Sequence, residues 1–151
     1  HRRIYSAAHT LSPATSCVIH SHSTHLVALS LQNKTLSTAL GPELLAPITP
    51  YFVMKVGHVP IVTYHRPGSP DAAAEVASLI ARYAERGTSS RAVMLPRLGP
   101  NVWHQDLTQA MATLEELEET AKLVQNSAPN LPENLSDAQI EELRQNFGAA
   151  W

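Results

Sequence analysis

Three histidines fall within six residues of the chain, in the string VIHSHSTH that occupies residues 18–25. Side chains two residues apart on a β-strand point to the same side of the sheet, so His20 and His22 would present two imidazoles from one strand end. Neutral imidazole nitrogens suit a divalent transition metal such as Zn²⁺. The spacing therefore predicts a metal site with His20 and His22 as ligands. A chance pair in a chain with 8 histidines is the alternative.

His25 follows this pair, on the first turn of a predicted helix. Its imidazole could bind substrate, ligate the metal or cap the helix, and simple surface placement is the fourth interpretation. We take His25 as a substrate-binding candidate.

Short apolar runs and helix-capping residues define the elements that would position these histidines. The chain opens on what looks like the end of a helix. A strand ends at the histidine pair, and Ser23 or Thr24 can cap the helix that follows it. Gly41, Pro42 and Pro47 indicate irregular structure before the next strands. The predicted elements are a helix end at 1–8, strands at Cys17–His20, Tyr51–Lys55, Pro60–Tyr64 and Arg91–Leu95, a helix at Ser23–Leu31 and an irregular stretch at Gln32–Pro50.

Three further helices carry clear start or stop signals. Ser69 is a good N-cap before Pro70, and Gly87 is a good stop. Apolar residues at helical spacing predict a long helix over Leu107–Val124. Ser136 and Gln139 form a capping box that opens a last helix, which Gly148 closes.

Strands alternate with helices, which predicts an α/β fold with Cys17–His20, Pro60–Tyr64 and Arg91–Leu95 in one sheet. We expect one core domain over residues 1–128, with 129–151 as a linker and C-terminal helix. The sequence begins without methionine, at residues that look like a helix already in progress. We therefore expect a segment upstream of His1.

Composition excludes several classes of protein. The net charge of −2 argues against a nucleic-acid or anionic-membrane surface. No apolar run reaches the ~18 residues that a membrane span needs. The single cysteine, Cys17, lies in an apolar run and is expected to be a buried, inert thiol. We expect a cytoplasmic protein that binds neither nucleic acid nor membrane.

The string VIHSHSTHLVALS resembles the metal-binding segment of the class II aldolase and adducin family. The rest of the chain follows the same order, from the opening HRRIYSA to the tail LSDAQIEELRQNFG. The stretches ITPYFVMKVGHVPIVTYHRPGSPDAAAEVASLI and AVMLPRLGPNVWHQDLTQAMATLEELEETAKL look most like one branch, the 3-oxo-tetronate 4-phosphate decarboxylases.

This resemblance implies a three-layer α/β/α sandwich, usually a homotetramer with active sites between subunits. It also implies a divalent metal held by three histidines, with Zn²⁺ favoured and Mn²⁺ or Co²⁺ as alternatives. The substrate would be a small phosphorylated sugar acid. Loss of CO₂ from a 3-oxo-tetronate 4-phosphate would leave an enediolate that the metal stabilises, and protonation would give dihydroxyacetone phosphate.

Carried over residue by residue, His20 and His22 are two of the metal ligands. Tyr51 falls where the family often has a tyrosine that can serve as acid, although a core aromatic is the equal alternative. The third ligand normally stands before a glycine in an Asn-His-Gly-like turn, and here Leu98 stands before Gly99. Leucine cannot coordinate a metal, so His25 or His104 would have to substitute.

Two other departures from the family concern the start of the chain. The family's acid/base glutamate would lie a few residues before His1, and its phosphate-binding loops earlier still. The loop over residues 8–16 also does not look like the usual Arg-Pro-Asp turn.

Two classes of function stay open. The first is a metal-dependent lyase, a decarboxylase impaired in this chain or an aldolase or epimerase on another sugar phosphate. The second is a non-catalytic homologue that keeps the scaffold for assembly or binding, as the adducin head does. Whether the chain is an enzyme is therefore uncertain from its sequence.

Overall fold

The computed structural model describes residues 1–32, 35–88 and 90–151. These ranges contain five α-helices, five β-strands and one turn of π-helix. In chain order they are α1 (Arg2–Leu11), β1 (Cys17–His20), α2 (Thr24–Leu31), β2 (Leu36–Thr38), β3 (Gly41–Glu43), the π-helix (Phe52–Val56), α3 (Pro70–Glu85), β4 (Ala92–Leu95), β5 (Gly99–His104), α4 (Leu107–Asn126) and α5 (Asp137–Phe147).

The central sheet has three antiparallel strands in the order β1-β5-β4. The prediction that Cys17–His20 and Arg91–Leu95 share one sheet is confirmed. They are joined through β5, which the sequence interpretation missed because Gly99 and Pro100 look like turn residues. The edge strand β1 ends at His20, which pairs with Asn101 of β5.

Helices cover both faces of this sheet. On one face, residues of α1 and α3 pack with Val18, Val93 and Trp103 of the strands. On the other face, residues of α2 and α4 pack with Ile19, Met94 and Val102. Successive side chains of each strand thus point to opposite faces of the sheet, as in any pleated strand. The result is an α/β fold with three layers, as predicted.

The predicted strand Pro60–Tyr64 is wrong as a regular strand. Pro60 and Ile61 form only isolated bridges, to Glu43 of β3 and Met94 of β4. The proline has no N–H to donate, so a continuous ladder cannot form there. The segment still lies along β4, because Pro60 O accepts from Met94 N at 2.8 Å.

The predicted strand Tyr51–Lys55 is wrong, because this segment forms the π-helix. The hydroxyl of Thr49 accepts a hydrogen bond from Phe52 N at 3.1 Å, and Gly57 ends the turn at φ +77°. This Thr-Pro start and glycine stop are helix signals. The β-branched and aromatic residues between them favour a strand, which is why the sequence predicted one.

The stretch Gln32–Pro50 is not irregular throughout, because β2 and β3 form an antiparallel hairpin within it. Residues 33–34 of that stretch lie outside the described part of the chain. The paired strands are three residues each, which is too short for an alternating pattern to be visible in the sequence.

The predicted helix ends are largely confirmed. Ser69 caps α3 by accepting from Asp71 N, Gly87 follows that helix at φ +69°, and the Ser136–Gln139 capping box opens α5, which Gly148 closes at φ +66°. The exception is α2, which begins after Ser23 although the Ser23 side chain makes no capping hydrogen bond.

The C-terminal helix packs back on the molecule. α5 contacts the π-helix, and the Trp151 ring stacks on His58 at 4.0 Å between centroids and meets Phe52 edge-on. The division into a core at residues 1–128 and an appendage at 129–151 stays a prediction. Within the ranges that the structure describes, no helix is long and apolar enough to cross a membrane.

Candidate functional site

His20 and His22 line one cavity of about 390 Å³. It lies at the end of β1, on the sheet face covered by α1 and α3. Its walls include His1, Leu98 and Asn101, together with residues at the start of α3. The structure therefore brings the predicted pair together with the turn that carries position 98. A cavity of this size is in the range of small-molecule sites.

The two imidazoles lie close to each other, with 5.3 Å between ring centroids. His20 is half-buried, and its Nδ1 lies 2.9 Å from the carbonyl oxygen of Pro100. A carbonyl can only accept, so Nδ1 donates this hydrogen bond, and in the neutral imidazole Nε2 is then the nitrogen with the free lone pair. Metal-binding histidines commonly donate a hydrogen bond from their other ring nitrogen to a backbone carbonyl, which orients the imidazole.

The turn that carries Leu98 is held tightly against the histidine segment. Leu98 N donates to Leu95 O at 3.1 Å, and Arg97 takes a left-handed φ of +67°. Gly99 has φ +127°, and a Cβ there would lie 1.9 Å from the carbonyl oxygen of Ser21. Only glycine allows this approach.

Position 98 therefore lies on the cavity wall with an aliphatic side chain. Among residues 1–32, 35–88 and 90–151, no three His, Cys, Asp or Glu side chains converge to hold a metal ion. The two histidines fit as metal ligands, and Leu98 does not supply a third.

His25 does not line this cavity, because Glu118 of α4 holds it on the other side of the sheet. The Glu118 carboxylate accepts from His25 Nδ1 at 2.8 Å and from the backbone N–H groups of His25 and Leu26 at 3.0 and 3.3 Å. Burial raises the pKa of Glu118, but these hydrogen bonds outweigh it and the net shift is downward. The side chain of Glu118 thus caps α2 in place of Ser23, and a substrate role for His25 stays a prediction.

Tyr51 is exposed just before the π-helix and does not line the cavity. The Lys55 ammonium lies over its ring, 5.0 Å from the centroid. Its exposure excludes the core-aromatic alternative. The acid role of Tyr51 stays a prediction.

His104 lies at the opposite end of β5, paired with Cys17 rather than with His20. It lies three positions further along the strand than Asn101, or about 10 Å away. Burial lowers the pKa of His104, and the adjacent Arg91 guanidinium lowers it further. His104 is therefore not placed to act as a ligand together with His20 and His22.

A second polar cluster lies elsewhere in the interior. The carboxylate of Glu43 is buried and accepts from His58 Nδ1 at 2.9 Å, from the Tyr83 hydroxyl at 2.9 Å and from Thr38 Oγ1 at 3.2 Å. Burial raises the pKa of Tyr83, and the negative charge of Glu43 raises it further. These bonds tie β3 to α3, which gives the cluster a structural role.

Sequence reasoning did not single out Asn101. This residue is 1% exposed and lines the histidine cavity, and its Oδ1 has no hydrogen-bond partner in the part of the chain that the structure describes. The sequence signal is a single amide within β5. It becomes visible only once residues 99–104 are known to form a buried strand.

The chain matches the family described as "Class II Aldolase and Adducin N-terminal domain" over residues 1–124. It belongs to this family. That membership agrees with the three-layer fold and with the position of the histidine pair at the end of β1.

Relatives within the family share a name. A protein of Cupriavidus necator named 3-oxo-tetronate 4-phosphate decarboxylase is 45% identical over the whole of this chain, which covers 64% of that protein. The protein of that name from Escherichia coli K12 is 37% identical over 88% of this chain and 58% of its own length. The chain thus spans less than two thirds of these relatives.

Solved structures show the same fold. YgbL from Escherichia coli superposes with a TM-score of 0.78 at 35% identity, covering 95% of this chain and 64% of YgbL. An L-fuculose 1-phosphate aldolase superposes with a TM-score of 0.65 at 20% identity, covering 96% of this chain and 63% of that one. At that identity the second likeness concerns the fold alone.

Proposed function

We propose that this chain carries the site of a metal-dependent lyase that converts a 3-oxo-tetronate 4-phosphate to dihydroxyacetone phosphate and CO₂, and that Leu98 impairs it. The observation that carries this is the His20 imidazole, oriented by Pro100 beside His22 in a cavity whose third-ligand position is a leucine. The names of the relatives supply the substrate class.

His20 and His22 would hold the divalent metal, with Zn²⁺ favoured because both donors are imidazoles and with Mn²⁺ or Co²⁺ as alternatives. When bound, the metal supplies positive charge for the oxygen that becomes negative as the carbon–carbon bond breaks. The Pro100 carbonyl keeps His20 in the tautomer that leaves Nε2 unprotonated. With leucine at position 98 the ion has two imidazole ligands instead of three and is held more weakly, which is the impairment.

The start of α3 forms part of the cavity wall and favours an anionic substrate. Gly68, Ser69 and Ala72 line the cavity, so the positive end of this 16-residue helix faces it. Helix N-termini commonly receive phosphate or carboxylate groups. A small phosphorylated sugar acid would meet favourable charge there.

Tyr51 would act as the acid from its exposed position in a homo-oligomer, usually a tetramer in this family, whose active sites lie between subunits. An exposed tyrosine that does not line the cavity of its own chain could donate a proton in the active site of a neighbouring subunit. His25 is engaged by Glu118, so its proposed contact with substrate would require that pair to open.

The test is turnover of 3-oxo-tetronate 4-phosphate with excess Zn²⁺ or Mn²⁺, followed as dihydroxyacetone phosphate, with the Cupriavidus necator relative as positive control. We expect the wild type to remain at the metal-plus-buffer background and Leu98→His to rise above it. Adding His20→Ala to that variant should abolish the gain. Wild-type turnover that His20→Ala abolishes would show that Leu98 does not impair the site.

A non-catalytic scaffold is the second candidate, and Leu98 is the observation that favours it. If Leu98→His binds metal tightly and still gives no turnover, the scaffold becomes the better account of this chain.

A further inference from the structure

The histidine cavity contains one more donor that neither the motif nor the family points to. Asn101 of β5 is 1% exposed, and its amide oxygen has no hydrogen-bond partner among the described residues. An unpartnered buried polar group costs about 1–3 kcal/mol, whereas a leucine at this position would leave no polar atom unpaired. The amide therefore weakens the fold unless something absent from the chain binds it.

Its position indicates what that partner is. Asn101 pairs directly with His20 across the β1–β5 ladder, so the two side chains lie on the same face of the sheet, with Cβ atoms about 4.5–5.5 Å apart. Both side chains line the same cavity as His22 and Leu98. The other neighbour of Asn101 across the sheet is Val93, which offers no polar atom.

The other candidates for a third ligand among the described residues do not fit. His1 also lines the cavity, with its ring centroid 6.0 Å from that of His20, but it does not converge with the histidine pair on one metal position. Leu98 cannot coordinate, His25 is bound to Glu118, and His104 lies at the far end of β5. Amide carbonyl oxygens are recognised ligands of divalent cations, alongside imidazole nitrogens.

We propose that Asn101 supplies the third protein donor of the metal site, so that Nε2 of His20, an imidazole nitrogen of His22 and Oδ1 of Asn101 hold the ion. This rests on the proposed function, because it presumes metal binding by the two histidines. The mixed donor set is weaker for Zn²⁺ than three histidines, since the amide oxygen is a neutral, harder ligand.

The experiment measures Zn²⁺ and Co²⁺ affinity by calorimetry for the wild-type chain and its His20→Ala, Asn101→Leu and Asn101→Asp variants. Asn130→Leu, an exposed loop asparagine, is the matched control. We expect Asn101→Leu to weaken binding about tenfold, Asn101→Asp to strengthen it about tenfold, and Asn130→Leu to change nothing. The visible spectrum of bound Co²⁺ should also change in both Asn101 variants, because a ligand oxygen is lost or becomes charged.

Stability of the metal-free protein supplies the second measurement. Asn101→Leu should keep or raise the melting temperature, because it removes an unpartnered amide, and yet bind metal less well. If this variant unfolds, Asn101→Asp decides alone. Failure of the aspartate to tighten binding would then overturn the proposal.

The metal site and the role of Asn101 within it can be refuted separately. Equal metal affinities in the wild type and His20→Ala would overturn the metal site and with it the proposed function. Weaker binding in His20→Ala, with Asn101→Leu unchanged from the wild type, would leave the metal site standing and refute the role of Asn101.

Discussion

Arg97 shows how closely the turn at the cavity wall is specified. It occupies the third position of the turn from Leu95 to Leu98, with Pro96 at the second and a φ of +67°. A left-handed conformation at this place is typical of a type II turn and favours Gly or Asn. The turn has thus kept its shape with a residue that fits it poorly.

Replacing this arginine should stabilise the fold. Arg97 is exposed, so Arg97→Asn removes little packing while relieving left-handed strain, and we expect a gain of about 1 kcal/mol in the free energy of unfolding. Chemical denaturation measures it. Arg86→Asn, at an exposed helix end with φ −88°, is the control and should give no such gain. A destabilised Arg97→Asn would mean that the Arg97 side chain has a stabilising contact of its own.

Gly99 and Pro100 explain why the sequence alone could place position 98 next to the histidine pair. The glycine is required because a Cβ at this position would lie 1.9 Å from the Ser21 carbonyl oxygen, and the Pro100 carbonyl orients His20. Leu98 is therefore placed against the histidine segment by its neighbours, whatever its own side chain. This placement makes it the residue whose replacement is most informative.

Among the elements, α2 depends on a cap that comes from 92 or 93 residues further along the chain. Ser23 gives no side-chain cap, and the Glu118 carboxylate receives the first free N–H groups of the helix instead. The side chain of Gln125 adds a bond to the His25 carbonyl at 2.7 Å. α4 thereby fixes the helix that immediately follows the histidine pair.

Glu118→Gln should destabilise the protein in a pH-dependent way. The folded-state pKa of Glu118 is lowered, so its contribution is fully present above the unfolded pKa near 4.5 and is lost as the pH falls through the folded pKa. We expect a loss of about 1 kcal/mol at neutral pH, the usual value of a helix cap, which shrinks on acidification below pH 4.5. Denaturation at several pH values measures this.

The neighbouring Glu119→Gln is the matched control, since Glu119 is exposed and pairs with Lys122 at 3.4 Å. It should change stability little at any pH. A Glu118→Gln deficit that stays constant from pH 7 to pH 3 would show that the charge of Glu118 does not support α2.

Over the whole molecule, the features that could be predicted were local ones. Helix starts at Ser69 and Ser136 and the histidine pair depend on residues a few positions apart. The strand β5, the cap from Glu118 and the unpartnered amide of Asn101 depend on pairing across tens of residues, which periodicity does not record. The two wrong strands fail for a related reason, since Pro60 and the Thr49 cap override the preference of β-branched residues.

The molecule as a whole has the fold of its family, and we propose that Leu98 stands in it where a third metal ligand would be. The division at residue 128, the homo-oligomer and the metal remain proposals that rest on this scaffold. The turn carrying Leu98 packs directly against the histidine segment, so a histidine introduced at position 98 would lie on the wall of the cavity that His20 and His22 line.

The most direct test of this account is a calorimetric titration of Zn²⁺ into the wild type and Leu98→His. Leu95→His, a histidine placed elsewhere on the same cavity wall, is the matched control. We expect Leu98→His to bind Zn²⁺ at least about tenfold more tightly than the wild type, as one well-placed ligand provides, and Leu95→His to bind no more tightly than the wild type. Equal affinities for wild type and Leu98→His would contradict the account, because Leu98 would then not occupy the place of a third ligand to His20 and His22.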